Sequence, residues 1–187
     1  IIFGLVTYAT KGVSFGAIEA TIPSMFIPKW GSFPTIIIWA VVAVVVVWFI
    51  WNKTTFGKNL YAVGGNPEAA SVSGISVFWV TLSAFILAGI LYGFGSWLEC
   101  LRMVGSGSAA YGQGWDMDAI AACVVGGGSF TGGIGKISGV VTGVMIFTAL
   151  TYSLTVLGID TNLQFIFEGI IILAAVTLDC LKYVQKK

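Results

Sequence analysis

Histidine is missing from this chain, and charge is scarce: 9% of its 187 residues are Asp, Glu, Lys or Arg, against 57% hydrophobic. A soluble domain carries about 25% charged residues, so a surface this poor in charge cannot face water on all sides. Together with a mean hydropathy of +0.97, this reads as an integral membrane protein. Cys100, Cys123 and Cys180 are odd in number and lack CxxC spacing, so neither a disulfide framework nor a zinc site is implied. No serine or lysine stands beside an activating base in sequence, so no catalytic constellation forms and no metal is expected. The run GGGSF lacks the Gly-Lys-Ser/Thr ending of a phosphate loop, because Lys136 is followed by Ile137. No basic cluster with interleaved aromatics points to nucleic acid. What the chain has in quantity is glycine, 25 residues, which lets membrane helices approach closely. It begins at Ile1 rather than Met, without a cleavable signal pattern, and reads as part of a longer chain.

The apolar runs predict an all-α, polytopic transmembrane bundle. Residues 1–9 are the tail of a span and 11–33 an interfacial, periplasmic loop, with Pro23 and Pro28 as breakers and Trp30 as an anchor at headgroup level. Four full spans follow, over 34–51, 77–98, 137–157 and 163–180. The first covers about 27 Å, close to the hydrocarbon thickness. The second carries Gly89 and Gly93, a GxxxG pair of the kind that marks close helix contact; Gly135, Gly139 and Gly143 give the third a similar face.

Lysine and arginine near span ends mark the cytoplasm. Lys53, Lys58, Lys136, Lys182, Lys186 and Lys187 then lie inside, with the C-terminus, and Lys11, Lys29 and Arg102 outside. This parity requires an inward crossing between Trp115 and Lys136. Only the short apolar run 117–125 and the glycine run GGGSFTGGIG at 126–135 are available for it. A broken or re-entrant crossing follows, with Gly126, Gly127, Gly132, Gly133 and Gly135 as the candidate gate, and such backbone needs protein or a water-filled cavity around it.

The stretch Phe56–Ser76, FGKNLYAVGGNPEAASVSGIS, lies in the cytoplasmic loop 52–76 between two spans. Asn66 reads as a helix N-cap and Pro67 as the first helical residue. Glu68 sits in the first turn, where the helix dipole favours it, and Gly74 can end the helix in a left-handed conformation. A helix of about two turns on one side of a membrane is either a docking element or a capped loop without a partner. A second feature is the face formed by Ser138, Thr142, Met145, Thr148, Tyr152 and Thr155, spaced three or four residues apart. It fits either a pathway lined with hydroxyls for a neutral, hydroxyl-rich solute or hydrogen bonding between helices. Glu168 lies near the outer end of its span, within reach of water or a neighbour, and Asp118 reads as a cap on the short crossing. Asp179 beside Lys182 reads as an interfacial pair at a helix end.

Three runs, TTFGKNLYAVGGNPEAASVSGI at 54–75, DAIAACVVGGGSFTGGIGKISGVVTGVMIF at 118–147 and FEGIIILAAVTLDCLKYVQKK at 167–187, resemble the permease subunits of bacterial ATP-binding-cassette importers for monosaccharides. The resemblance is to the ribose, xylose and galactose group, with AACVVGG and LDCLKY leaning to its galactose branch. It covers 34–187 as the C-terminal part of the permease and 1–33 only loosely. It implies a cytoplasmic ATPase, a periplasmic sugar-binding protein, a second permease copy and the bacterial inner membrane, with ATP and magnesium held by the ATPase and no cofactor on this chain. On the family's pattern, Asn66, Pro67, Glu68, Ala69, Ala70 and Gly74 form the helix that docks in the ATPase. The broader importer motif continues with an Ile and a Leu-Pro pair, where this chain has Ala84, Ile86 and Leu87. Span 77–98 then carries the motion across the bilayer, with the broken crossing as hinge or gate. The rival readings are an ion-coupled secondary transporter, a non-transporting membrane assembly protein and a membrane-embedded enzyme.

Overall fold

The computed structural model describes residues 2–11, 13, 23, 26–27, 34–103, 107, 111–112, 114–129 and 132–184, with 2–3, 161–162 and 178–184 as backbone only. The expected loop around Trp30, the Asp179–Lys182 pair and the lysines at 186 and 187 therefore lie outside what is described. Among the described residues the regular structure is helical: α1 Ile2–Thr10, α2 Ile36–Lys53, α3 Thr55–Gly65, α4 Pro67–Val72, α5 Val77–Arg102, α6 Trp115–Val125, α7 Ile137–Val156 and α8 Thr161–Val184. Three of these, α2, α5 and α7, are long and apolar enough to cross a membrane. In α8, which occupies the fourth expected span, the apolar stretch is Leu163–Thr177. These are the helices of a polytopic membrane protein, as the hydropathy predicts.

The chain divides into two compact units, 1–49 with 81–113 and 50–80 with 114–187. In the first, aromatic rings join α2 to α5. Trp39 meets Phe94 edge-on at 6.0 Å, and Trp97 meets Phe26 at 5.1 Å. The indole Nε1 of Trp39 donates to the Phe26 carbonyl at 3.1 Å. At the end of α5, Arg102 forks onto the Glu99 carboxylate and reaches the Tyr111 hydroxyl at 2.9 Å. The expected close contact at Gly89 and Gly93 is not made among the described residues, since nothing lies within 4 Å of where either Cβ would stand.

The second unit is built on glycine. Its apolar centre is Ala121 and Ala122 on α6 with Phe147 on α7, flanked by Ile171 and Ile172 of α8. Helix α6 lies antiparallel along the first half of α7, and the approach is backbone on backbone. A Cβ on Gly139 would stand 2.3 Å from the Gly126 carbonyl oxygen, and one on Gly143 would stand 2.1 Å from that of Ala122. Real Cβ contacts are never this short, so both positions require glycine. The glycine face read on this helix therefore has a partner, and the partner is α6. Helix α6 has 11 residues, about 16 Å of rise, or half the hydrocarbon thickness. The described residues between α6 and α7 are irregular.

Candidate functional site

The loop between α2 and α5 holds two helices where the sequence predicted one. Thr54 starts α3: its hydroxyl accepts from the Gly57 amide at 3.3 Å and donates to the Ile50 carbonyl at 2.6 Å. The chain folds back so tightly here that a Cβ on Gly57 would stand 2.0 Å from the Trp51 carbonyl oxygen. Gly57, Gly64 and Gly65 each disfavour a helix when judged alone, so residue preference does not predict α3. Its one local signal was the N-cap threonine.

Asn66 is the corner. Its amide donates to the Ala62 carbonyl at 3.0 Å, closing α3, and its Oδ1 accepts from the Ala69 amide at 3.0 Å, opening α4. Pro67 is the first residue of α4 and Glu68 lies in its first turn, as predicted. At the other end the Ile75 amide donates to the Ala70 carbonyl and the Gly74 amide to that of Ser71, both at 3.0 Å. This is a Schellman closure, and it needs the left-handed φ of +81° that Gly74 supplies. Six residues would not hold a helix alone; caps at both ends make this one a defined knob. Its outer surface is Asn66, Pro67, Glu68, Ala69 and, most of all, Val72, 91% exposed, whereas Ala70 faces inward at 4%. Replacing Asn66 with alanine removes a cap worth about 1 kcal/mol. Amide exchange over 67–73 should accordingly quicken about fivefold, as deuterium uptake of the peptide would register.

The candidate gate glycines occupy the turn between α6 and α7, and Gly132, Gly133 and Gly135 are in contact with α3. Gly126 and Gly127 close α6, Gly127 with φ +84°. Gly132 and Gly133 take φ of +93° and +72° and lie against Gly64 and Gly65. A Cβ on Gly133 would stand 2.5 Å from the Gly65 Cα. Gly135 accepts a hydrogen bond from the Tyr61 hydroxyl at 2.7 Å. The loop carrying Lys58 and the turn ending at Lys136 thus lie together.

The stripe on α7 is open. Ser138, Thr142, Met145, Thr148, Tyr152 and Thr155 are all exposed, Met145 and Tyr152 to about 70%. The hydroxyls of Thr142 and Thr155 donate back to carbonyls of their own helix, at 2.9 and 3.0 Å. Thr155 is also 3.4 Å from Gln164 of α8. Of the acids, Glu168 meets a neighbour, one of its two expected surroundings, and Asp118 differs from expectation. Glu168 is buried at 8% exposure, and it lies beside Asp118 of α6. Asp118 does not cap α6, whose N-cap is Gly114 without a side-chain bond. Both residues face a neighbouring helix, information that spacing along one helix does not hold.

A family model described as "Branched-chain amino acid transport system / permease component" matches residues 1–176. The galactose/methyl galactoside import permease protein MglC of Treponema pallidum is 54% identical over 196 residues, covering 100% of this chain and 36% of the relative. The Escherichia coli protein of the same name is 53% identical over 149 residues, 80% of this chain and 44% of its own length. The ribose import permease protein RbsC of Bacillus subtilis is 41% identical over 139 residues, 74% of this chain and 43% of its own. The chain thus spans less than half the length of these relatives. No solved structure matches it.

Proposed function

Because the chain belongs to the branched-chain amino acid transport system / permease component family, we propose that it is part of the membrane subunit of an ATP-driven importer for galactose, methyl galactoside or a related monosaccharide. The carrying observation is the exposed, doubly capped helix α4, in a chain 54% identical to a galactose/methyl galactoside import permease. A rigid knob of this kind is what a cytoplasmic ATPase can grip. ATP and magnesium belong to that ATPase, a periplasmic protein delivers the sugar, and a second copy of the permease completes the pathway. The subunit lies in the bacterial inner membrane with its C-terminus in the cytoplasm. The exposed stripe Ser138, Thr142, Thr148, Tyr152 and Thr155 suits the pathway wall, because a sugar exchanges hydroxyl contacts with water for hydroxyl contacts with protein at little net cost. The glycines of the broken crossing, Gly126, Gly127, Gly132, Gly133 and Gly135, form the part of the gate nearest the cytoplasm.

The full-length permease, co-purified with its ATPase and placed in vesicles, should take up labelled galactose only with ATP and the binding protein present. Uptake that survives removal of ATP but collapses with an ionophore would overturn this reading in favour of ion coupling.

A further inference from the structure

We propose that Tyr61 is a positioning residue through which motion of α4 reaches the α6–α7 turn, so that the docking helix drives the broken crossing directly. This rests on the transport reading above and adds a route to it that does not pass through α5.

The route is a series of contacts with little slack. Asn66 caps α3 and α4 with the same residue, so the two helices turn as one body. Helix α3 bears on the turn at Gly64 and Gly65, where the opposing surface is the backbone of Gly132 and Gly133. Backbone meeting backbone has no side-chain rotamer to absorb a displacement, so the push is transmitted. The turn is itself braced: the Ser129 amide donates to the Ile134 carbonyl at 2.9 Å, and the Gly132 amide to that of Ser129 at 3.2 Å. From there the chain enters α7 at Ile137, and α7 is locked to α6 through Gly139 and Gly143.

Steric contact transmits a push but not a pull. A directed bond across this seam runs from the Tyr61 hydroxyl to the Gly135 carbonyl, 2.7 Å long between residues 74 apart in sequence. It holds the turn to α3 on the return stroke. The carbonyl it engages lies two residues before α7 begins, where leverage on the helix start is direct.

Tyr61→Phe removes the hydroxyl and keeps the ring, so assembly with the ATPase and basal hydrolysis should be unchanged. Sugar uptake per ATP hydrolysed should fall about fivefold, the size of one net hydrogen bond. A purely structural role would lower protein yield and leave that ratio alone. A second variant avoids dependence on one hydroxyl. With Cys100, Cys123 and Cys180 replaced by serine, Tyr61→Cys and Gly135→Cys are bridged by a short, reducible bis-thiosulfonate reagent. Gly135 accepts a side chain, since among the described residues a Cβ there would meet the Gly128 Cα at 3.6 Å, an ordinary contact. The bridge should restore the coupling that Tyr61→Cys alone loses, because the seam acts as a fixed strut; a bridged complex that stops and is restored by a reductant would mean that the seam must part, and would overturn the inference. Wild-type coupling in both Tyr61→Phe and Tyr61→Cys would overturn the inference. A wild-type complex without ATP-dependent uptake would instead overturn the transport reading, so the two failures are distinct.

Discussion

A leucine in place of Gly143 is expected to prevent α6 and α7 from packing, and full-length protein carrying it should be recovered aggregated or not at all. The first atom added would stand 2.1 Å from the Ala122 carbonyl oxygen and 2.7 Å from the Gly126 amide nitrogen. Overpacking against flexible side chains costs about 1–3 kcal/mol; here the obstacle is the main chain of a neighbouring helix, so the cost should exceed that range. Backing α7 away would also open the Ala121, Ala122 and Phe147 cluster. Gly89→Leu supplies the contrast. That glycine sits in a GxxxG pair on an apolar helix, yet nothing among the described residues lies within 4 Å of its Cβ position, and its leucine variant should stay within about 0.5 kcal/mol of the parent. Thermal unfolding in detergent, followed by loss of the monodisperse peak, reads both. A Gly143→Leu protein as stable as the Gly89→Leu one would mean that the two helices do not meet at this seam.

That contrast marks where sequence reading reaches its limit. Gly89 with Gly93 and Gly139 with Gly143 carry the same spacing, and the spacing says only that a close neighbour could fit. Which pair has one depends on where the rest of the chain goes. Local features were legible to the residue. The caps of α4 follow from Asn66, Pro67 and Gly74 because each acts on backbone within a few positions of itself. The apolar spans were legible because hydrocarbon thickness fixes their length. Helix α3 was missed because Gly64 and Gly65 count against a helix when judged alone. In the fold they are small because Gly132 and Gly133 lie against them, so tertiary contact reverses what propensity says. Asp118 reads as a cap and Glu168 as within reach of water or a neighbour; which neighbour could not be read from either helix alone, and it is the other acid.

Ala69→Arg should cut ATP-driven sugar uptake by about tenfold or more, equivalent to losing about 1.4 kcal/mol of docking free energy, while the helix that carries it persists. Arginine ranks close to alanine in helix propensity, and position 69 is exposed, so the fold has no reason to reject it. Its amide still donates to Asn66 Oδ1, which keeps the N-cap in place. The added side chain would stand on the surface that the proposed ATPase must cover, where a buried, unpaired guanidinium is costly. Ala70→Arg sorts the alternatives, because Ala70 is only 4% exposed and a long charged side chain there has to displace the packing beneath α4. The two variants should therefore fail differently. Ala69→Arg should yield a well-folded permease that captures less ATPase on co-purification, and Ala70→Arg a permease that is itself unstable. If Ala69→Arg retains both capture and uptake, α4 is a capped loop without a partner, and the surface that receives the ATPase lies elsewhere in the full-length protein.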